Sequence, residues 1–175
     1  GGLLSEAIRL GELFLPKGSL IVSTKGRTQE TEGRSTLDPI FNGEMVTLIN
    51  EGSASASEIV SGALQDWDRS VVMGKNSFGK GSVQSVYQLG AKGHGLKLTT
   101  AFYYLPKGRC VNKPENGIGA VDRDEEEIKE DSMSVDSSKI FYTANGREMH
   151  EAGGVKPDVE VDLESLDWVE ALLLR

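Results

Sequence analysis

Apolar residues recur at three- and four-residue spacing through Leu3, Leu4, Ala7, Ile8, Leu10, Leu13 and Phe14, which predicts an amphipathic helix ended near Pro16-Lys17-Gly18. Residues 19–24 form a short apolar run between Gly18 and Gly26, expected to be a strand. Residues 25–42 are polar and carry Gly33, Pro39 and Asn42-Gly43, the mark of a long loop or a hairpin. The continuous apolar run at 45–50 predicts a buried strand. A turn of Gly, Ser and Ala follows at 51–57 and opens into a helical face made by Ile59, Val60, Ala63, Leu64 and Trp67. Residues 70–73 predict another short strand, Gly79-Lys80-Gly81 a turn, and 83–87 and 96–105 two further strands, the second rich in Thr, Phe and Tyr.

Beyond that point the pattern changes. From 107 to about 138 a solvated insertion is expected, because Asn112, Pro114, Asn116, Gly117 and Gly119 lead into a stretch, 122–131, with seven acidic and two basic residues. Closing strands at 140–143 and 155–161 and a last amphipathic helix at 164–174 complete the expectation. Strands and helices alternate without an internal repeat, so the predicted class is α/β.

Composition narrows the chemistry. The 175 residues allow one domain with its own core. A net charge of −8 disfavours the broad electrostatic grip on phosphate backbones that nucleic-acid binders use. No apolar run approaches the roughly 18–20 residues of a membrane helix. One cysteine, Cys110, excludes an internal disulfide, and with only His94 and His150 beside it no structural zinc site is expected. The chain opens on Gly1-Gly2 with neither initiator Met nor leader, and it reads as a piece of something longer. The missing leader therefore says nothing about where the parent protein acts.

Two segments could carry chemistry. Gly74 to Ser82 looks like a phosphate-binding loop, with Gly74, Gly79 and Lys80 spaced for it. Gly81 stands where that motif needs Ser or Thr, though, and the segment leads into a strand rather than a helix. The serine cluster Ser53-Ala54-Ser55-Ala56-Ser57 lies between a strand and a helix, where unpaired backbone N–H groups stabilise negative charge, as acyl transfer requires. The plainer account of the same residues is a flexible linker with Ser53 or Ser57 as helix cap. A nucleophilic serine needs a base. His94 sits in a glycine turn and His150 in a polar stretch, so lysine is the alternative, as in Ser–Lys variants of the triad. Glu58 rather than Lys stands three residues after Ser55, and Lys80, held between two glycines, is the lysine set in a tight backbone.

At this point the motifs match a known family. Asn50 through Ile59, Ala63-Leu64-Gln65-Asp66, Phe78-Gly79-Lys80-Gly81-Ser82-Val83-Gln84, Leu96 through Ala101, Tyr103 through Arg109 and Gly154-Val155-Lys156-Pro157-Asp158-Val159 resemble, in order, the C-terminal processing (tail-specific) serine peptidases. The resemblance covers nearly the whole chain and breaks mainly at the acidic insertion. It implies Ser55 as nucleophile, Lys80 as base and Gln84 as the group that orients the lysine. It further implies oxyanion donors at the Ala56 N–H and at Gly1-Gly2. Stacked ββα units of the ClpP/crotonase type, an upstream PDZ domain in cis, no cofactor, and protein or peptide substrates with exposed C-terminal tails follow from the same likeness. So does action in the periplasm, cell envelope or chloroplast lumen.

That chemistry makes demands on the residues. A lysine removes the serine proton only when neutral, and burial is what disfavours an ammonium. Lys80 is therefore expected to be largely buried, with no carboxylate at salt-bridge distance. For Gln84 to reach Lys80 the chain must bend, and Gly81 is the residue to bend it. A non-catalytic peptide-binding or scaffold relative is the rival reading; a P-loop nucleotide binder is the second.

Overall fold

The computed structural model describes residues 2–90, 93–113, 139–151 and 153–161. The apolar stripe near the N-terminus folds as α1 (Leu4–Glu12), whose buried Ala7 faces a second helix, α2 (Ala56–Asp66). Between them in sequence lie β1 (Leu20–Gly26), β2 (Glu30–Arg34) and β3 (Val46–Ile49). The polar stretch 25–42 thus resolves as a hairpin up to Arg34, with β1 and β2 paired antiparallel, and as a loop beyond it. After α2 come β4 (Val71–Gly74), β5 (Ser82–Leu89), β6 (His94–Tyr104), β7 (Ile140–Tyr142), β8 (Glu148–His150) and β9 (Val159–Glu160).

Three sheets result: an antiparallel one in the order β2-β1-β6-β5, a parallel one in the order β3-β4-β9, and the pair β7-β8. The class is mixed α/β, as expected. Helix α2 packs against both β1 and β4, and it is buried over most of its length. Ile59, Ala63 and Leu64 join Ala7, Leu15, Ile21, Val22 and Tyr103 in one core. Ile49, Val72, Leu105, Val111 and Val155 make a second. Burial of each such aliphatic side chain stabilises the fold by about 1.5–3 kcal/mol.

A helix buried on so many sides must satisfy its polar residues internally. Ser61 Oγ donates to the Ser57 carbonyl at 2.9 Å. Gln65 Nε2 donates to the Lys156 carbonyl and to Asp158 Oδ1, and the other Asp158 oxygen accepts the Val72 N–H. Asp66 is fully buried and accepts from Arg109 Nη2 at 2.6 Å and from the Lys107 N–H at 2.8 Å. Burial pushes the Asp66 carboxyl above its ordinary range, and the Arg109 charge opposes that shift. Removing one partner of a buried pair strands the other. Asp66→Ala is expected to cost about 3–5 kcal/mol, read as a fall in the urea midpoint, and a loss under 1 kcal/mol would contradict this account.

The structure corrects three expectations. The solvated stretch predicted from 107 fails at residues 109–112, because Arg109, Cys110, Val111 and Asn112 are buried. Arg109 closes the pair with Asp66, Val111 fills the second core, and Asn112 Oδ1 accepts the Gly81 N–H. The rest of the stretch expected to be a solvated insertion, residues 114–138, and the helix expected at 164–174 lie outside the described residues. Strand β3 was expected to be buried, but it is the edge of its sheet, and its Val46 and Leu48 are exposed while Ile49 is buried. His150, expected in a loop, lies exposed on β8.

Candidate active site

Strand β3 delivers the chain to Asn50, and the turn 51–54 reverses it into α2. Asn50 and Ser53 lock that turn: the Ser53 N–H donates to the Asn50 carbonyl, and Ser53 Oγ accepts the Asn50 N–H. Ser55 then caps the helix with φ 56° and ψ −112°. A non-glycine residue in that region costs about 1–3 kcal/mol and persists only where surrounding contacts enforce it. It also presents Ser55, half-buried, at the mouth of α2, a strand-to-helix elbow like the one that carries the nucleophilic serine of α/β-hydrolases. The Ala56 N–H, next in the chain, donates no hydrogen bond among the described residues. Gly2 lies beside the Ala56 side chain: a Cβ added to Gly2 would stand 3.4 Å from Ala56 Cβ. Gly1 lies outside the described residues.

A cavity of about 390 Å³ opens beside this point, lined in part by Leu3, Ala7, Leu10, Leu48, Ala56 and Val60. Its walls mix apolar side chains from α1, β3 and α2 with the polar residues Glu6, Thr47, Ser53, Ser57 and Ser61.

The lysine loop approaches from the other side. Gly79 is at φ +87°, and a Cβ there would meet the Gly153 carbonyl oxygen at 2.6 Å, so only glycine fits. Its neighbour Lys80 donates its backbone N–H to Glu58 Oε2 at 2.9 Å, and that same oxygen accepts the Ser55 N–H at 2.7 Å. The main chains of Ser55 and Lys80 are thereby held against one atom. The other carboxylate oxygen, Oε1, accepts the Gly79 N–H at 2.7 Å and Ser77 Oγ at 2.6 Å. Glu58 is 0% exposed.

The burial expected of Lys80 is not found: its side chain is exposed. Gly79 and Gly81 on either side are pressed onto Lys113 and Asn112, so the residue between them points away from that contact into solvent. No carboxylate pairs with its ammonium among the described residues. Nor does a hydrogen bond join Ser55 Oγ, Lys80 Nζ and Gln84 in this conformation. Gln84 is exposed on β5, paired with Thr99, and the irregularity of this ladder falls between Val83 and Gln84 rather than at Gly81. The Gly81 N–H is engaged by Asn112 instead.

The competing chemistries fare worse. The phosphate-loop reading needs free amides at Gly79 and Lys80, and both donate to Glu58. Burial pushes the Cys110 thiol up to about 11, leaving no thiolate nucleophile. His94 and His150 are exposed, on β6 and β8, away from the elbow after β3.

The sequence pattern missed Glu58, Ser77 and Asn112. Ser55-x-x-Glu58 has the spacing of a helix capping box, a signal that could have singled out Glu58. Nothing in the pattern ties Ser77 or Asn112 to the site.

Residues 1–126 match the family model described as peptidase family S41. A carboxy-terminal-processing protease of Bartonella bacilliformis is 50% identical over 122 residues, covering 68% of this chain and 27% of that protein. Carboxyl-terminal-processing peptidase 1, chloroplastic, of Arabidopsis thaliana is 36% identical over 114 residues, covering 64% of this chain and 23% of that protein. Among solved structures, the photosystem II D1 C-terminal processing protease superposes with a TM-score of 0.62 at 25% identity, covering 93% of this chain and 32% of that one. The chain spans about a quarter of the length of the curated relatives it matches.

Proposed function

The chain belongs to peptidase family S41, and on that premise we propose that it carries the reacting groups of a serine endopeptidase that cleaves polypeptides near their C-termini. Ser55 Oγ attacks the scissile carbonyl carbon while the Lys80 amine takes its proton. The Ala56 N–H and a donor from Gly1-Gly2 receive the oxyanion. The tetrahedral intermediate then expels the amine product, which takes the proton back from the lysine, and water hydrolyses the acyl-Ser55 ester. Gln84 orients the lysine. The amine, solvated in the free chain, sheds its water when a bound polypeptide covers the cleft, since closure of a site expels solvent.

The observation that carries this reading is the left-handed Ser55 at the mouth of α2 with an unengaged Ala56 N–H beside it and Gly2 in contact. The leucines and Val60 in the cavity adjoining Ala56 support a substrate with an apolar side chain next to the cleaved bond. The β3–α2–β4 unit, with a second sheet packed on the same helix, supports a ClpP/crotonase-like stacking of units. Action outside the cytoplasm, in the periplasm or cell envelope, and a PDZ domain in cis belong to the same proposal. One observation, the exposure of Lys80, favours the rival, a peptide-binding relative that does no chemistry.

Incubating the complete protein with an unfolded substrate bearing an apolar tail separates the two. Mass spectrometry is expected to find cuts near the substrate C-terminus, and a fluorophosphonate adduct on Ser55. Peptide retention with neither cut nor adduct would establish the rival.

A further inference from the structure

We propose that Glu58 is a positioning residue for the Ser–Lys pair: its buried carboxylate holds the serine elbow and the lysine loop at a fixed separation. The inference rests on the Ser55–Lys80 reading and adds a residue to it.

An ordinary capping box asks of the Glu58 carboxylate only the bond to the Ser55 N–H, in exchange for the Ser55 side chain accepting the Glu58 N–H. Here three of the four donors come from another loop: Ser77 Oγ, the Gly79 N–H and the Lys80 N–H. A carboxylate offers four lone-pair sites, and four donors at 2.6 to 2.9 Å fill them. Bonds to an ionised acceptor are short and about twice as strong as neutral ones. One oxygen is shared by the main chains of nucleophile and base, so neither can shift without disturbing the other. Ser77 passes the restraint on, because its Oγ also accepts the Val155 N–H at 2.6 Å. Glutamine in place of Glu58 would turn one acceptor oxygen into an amide donor facing N–H or O–H donors.

The test compares Glu58→Gln, Glu58→Asp and Ser77→Ala in the complete protein. It measures kcat and KM on a tail peptide, with active sites titrated by fluorophosphonate and folding followed by circular dichroism. Glu58→Gln is expected to lower kcat per titrated site about 10²-fold, the loss that a shift of roughly 1 Å brings, with KM changed less than a few-fold. Glu58→Asp, which keeps the charge, is expected to recover part of that loss, and Ser77→Ala to fall between wild type and Glu58→Gln.

A folded Glu58→Gln enzyme with kcat within a few-fold of wild type would overturn the proposal. So would an Asp variant no better than Gln. Should Glu58→Gln fail to fold, an unchanged kcat in Ser77→Ala overturns it instead. Failure of the Ser–Lys reading shows elsewhere, as an undiminished Lys80→Ala enzyme, so the two failures are distinguishable.

Discussion

Replacing Ser55 by alanine is expected to remove peptide cleavage and fluorophosphonate labelling together, with a fall in kcat on the order of 10⁶-fold, the scale seen when a serine nucleophile is deleted. The neighbouring hydroxyls cannot take over. Ser53 Oγ is engaged by the Asn50 N–H inside the turn, and Ser57 is already within the first turn of α2. Alanine leaves the Glu58 bond to the residue-55 N–H intact, because that contact is made by the main chain. Melting temperature should therefore stay close to wild type while activity vanishes. Labelling that persists in Ser55→Ala would move the nucleophile to another residue.

Lys80→Ala should lower kcat by about 10²–10⁴-fold, the usual contribution of a positioned general base, with little change in KM. Because the side chain is exposed, the stability change should stay within about 0.5 kcal/mol. Lys80→Arg sharpens the result. Arginine keeps the positive charge but does not deprotonate in proteins, so a base must fail in both variants, whereas a merely electrostatic lysine would be rescued. Wild-type kcat in Lys80→Arg would exclude the proton-transfer role.

Much of this architecture is written locally. The spacing of Ile59, Val60, Ala63 and Leu64 marks α2, and the apolar runs mark β1, β4 and β6, because helix and strand periods are properties of neighbouring residues. The proposed pair Ser55 and Lys80 is also legible, one in a strand–turn–helix setting and the other between glycines. What escaped depends on partners distant in sequence. Arg109 and Val111 look like loop residues until Asp66 and the second core are in place to bury them. Three of the donors to Glu58 come from residues 77–80, beyond α2 and β4, so the local capping pattern shows one bond of four. Burial of Lys80 was inferred from the needs of the reaction and not from any feature of the chain. The contacts of Gly79 and Gly81 instead turn its side chain outward.

The Asp158 carboxylate joins Gln65 on α2 and Val72 on β4 across separations of 93 and 86 residues. Gln65 also bonds the Lys156 carbonyl. Until that late stretch of polypeptide leaves the ribosome, the buried amide of Gln65 has no acceptor there, and β9 is not available to complete the parallel sheet. Contacts of such long range carry a large loop-closure cost and slow folding. Helix α2 thus gains its final anchoring only after most of this sequence has been synthesised.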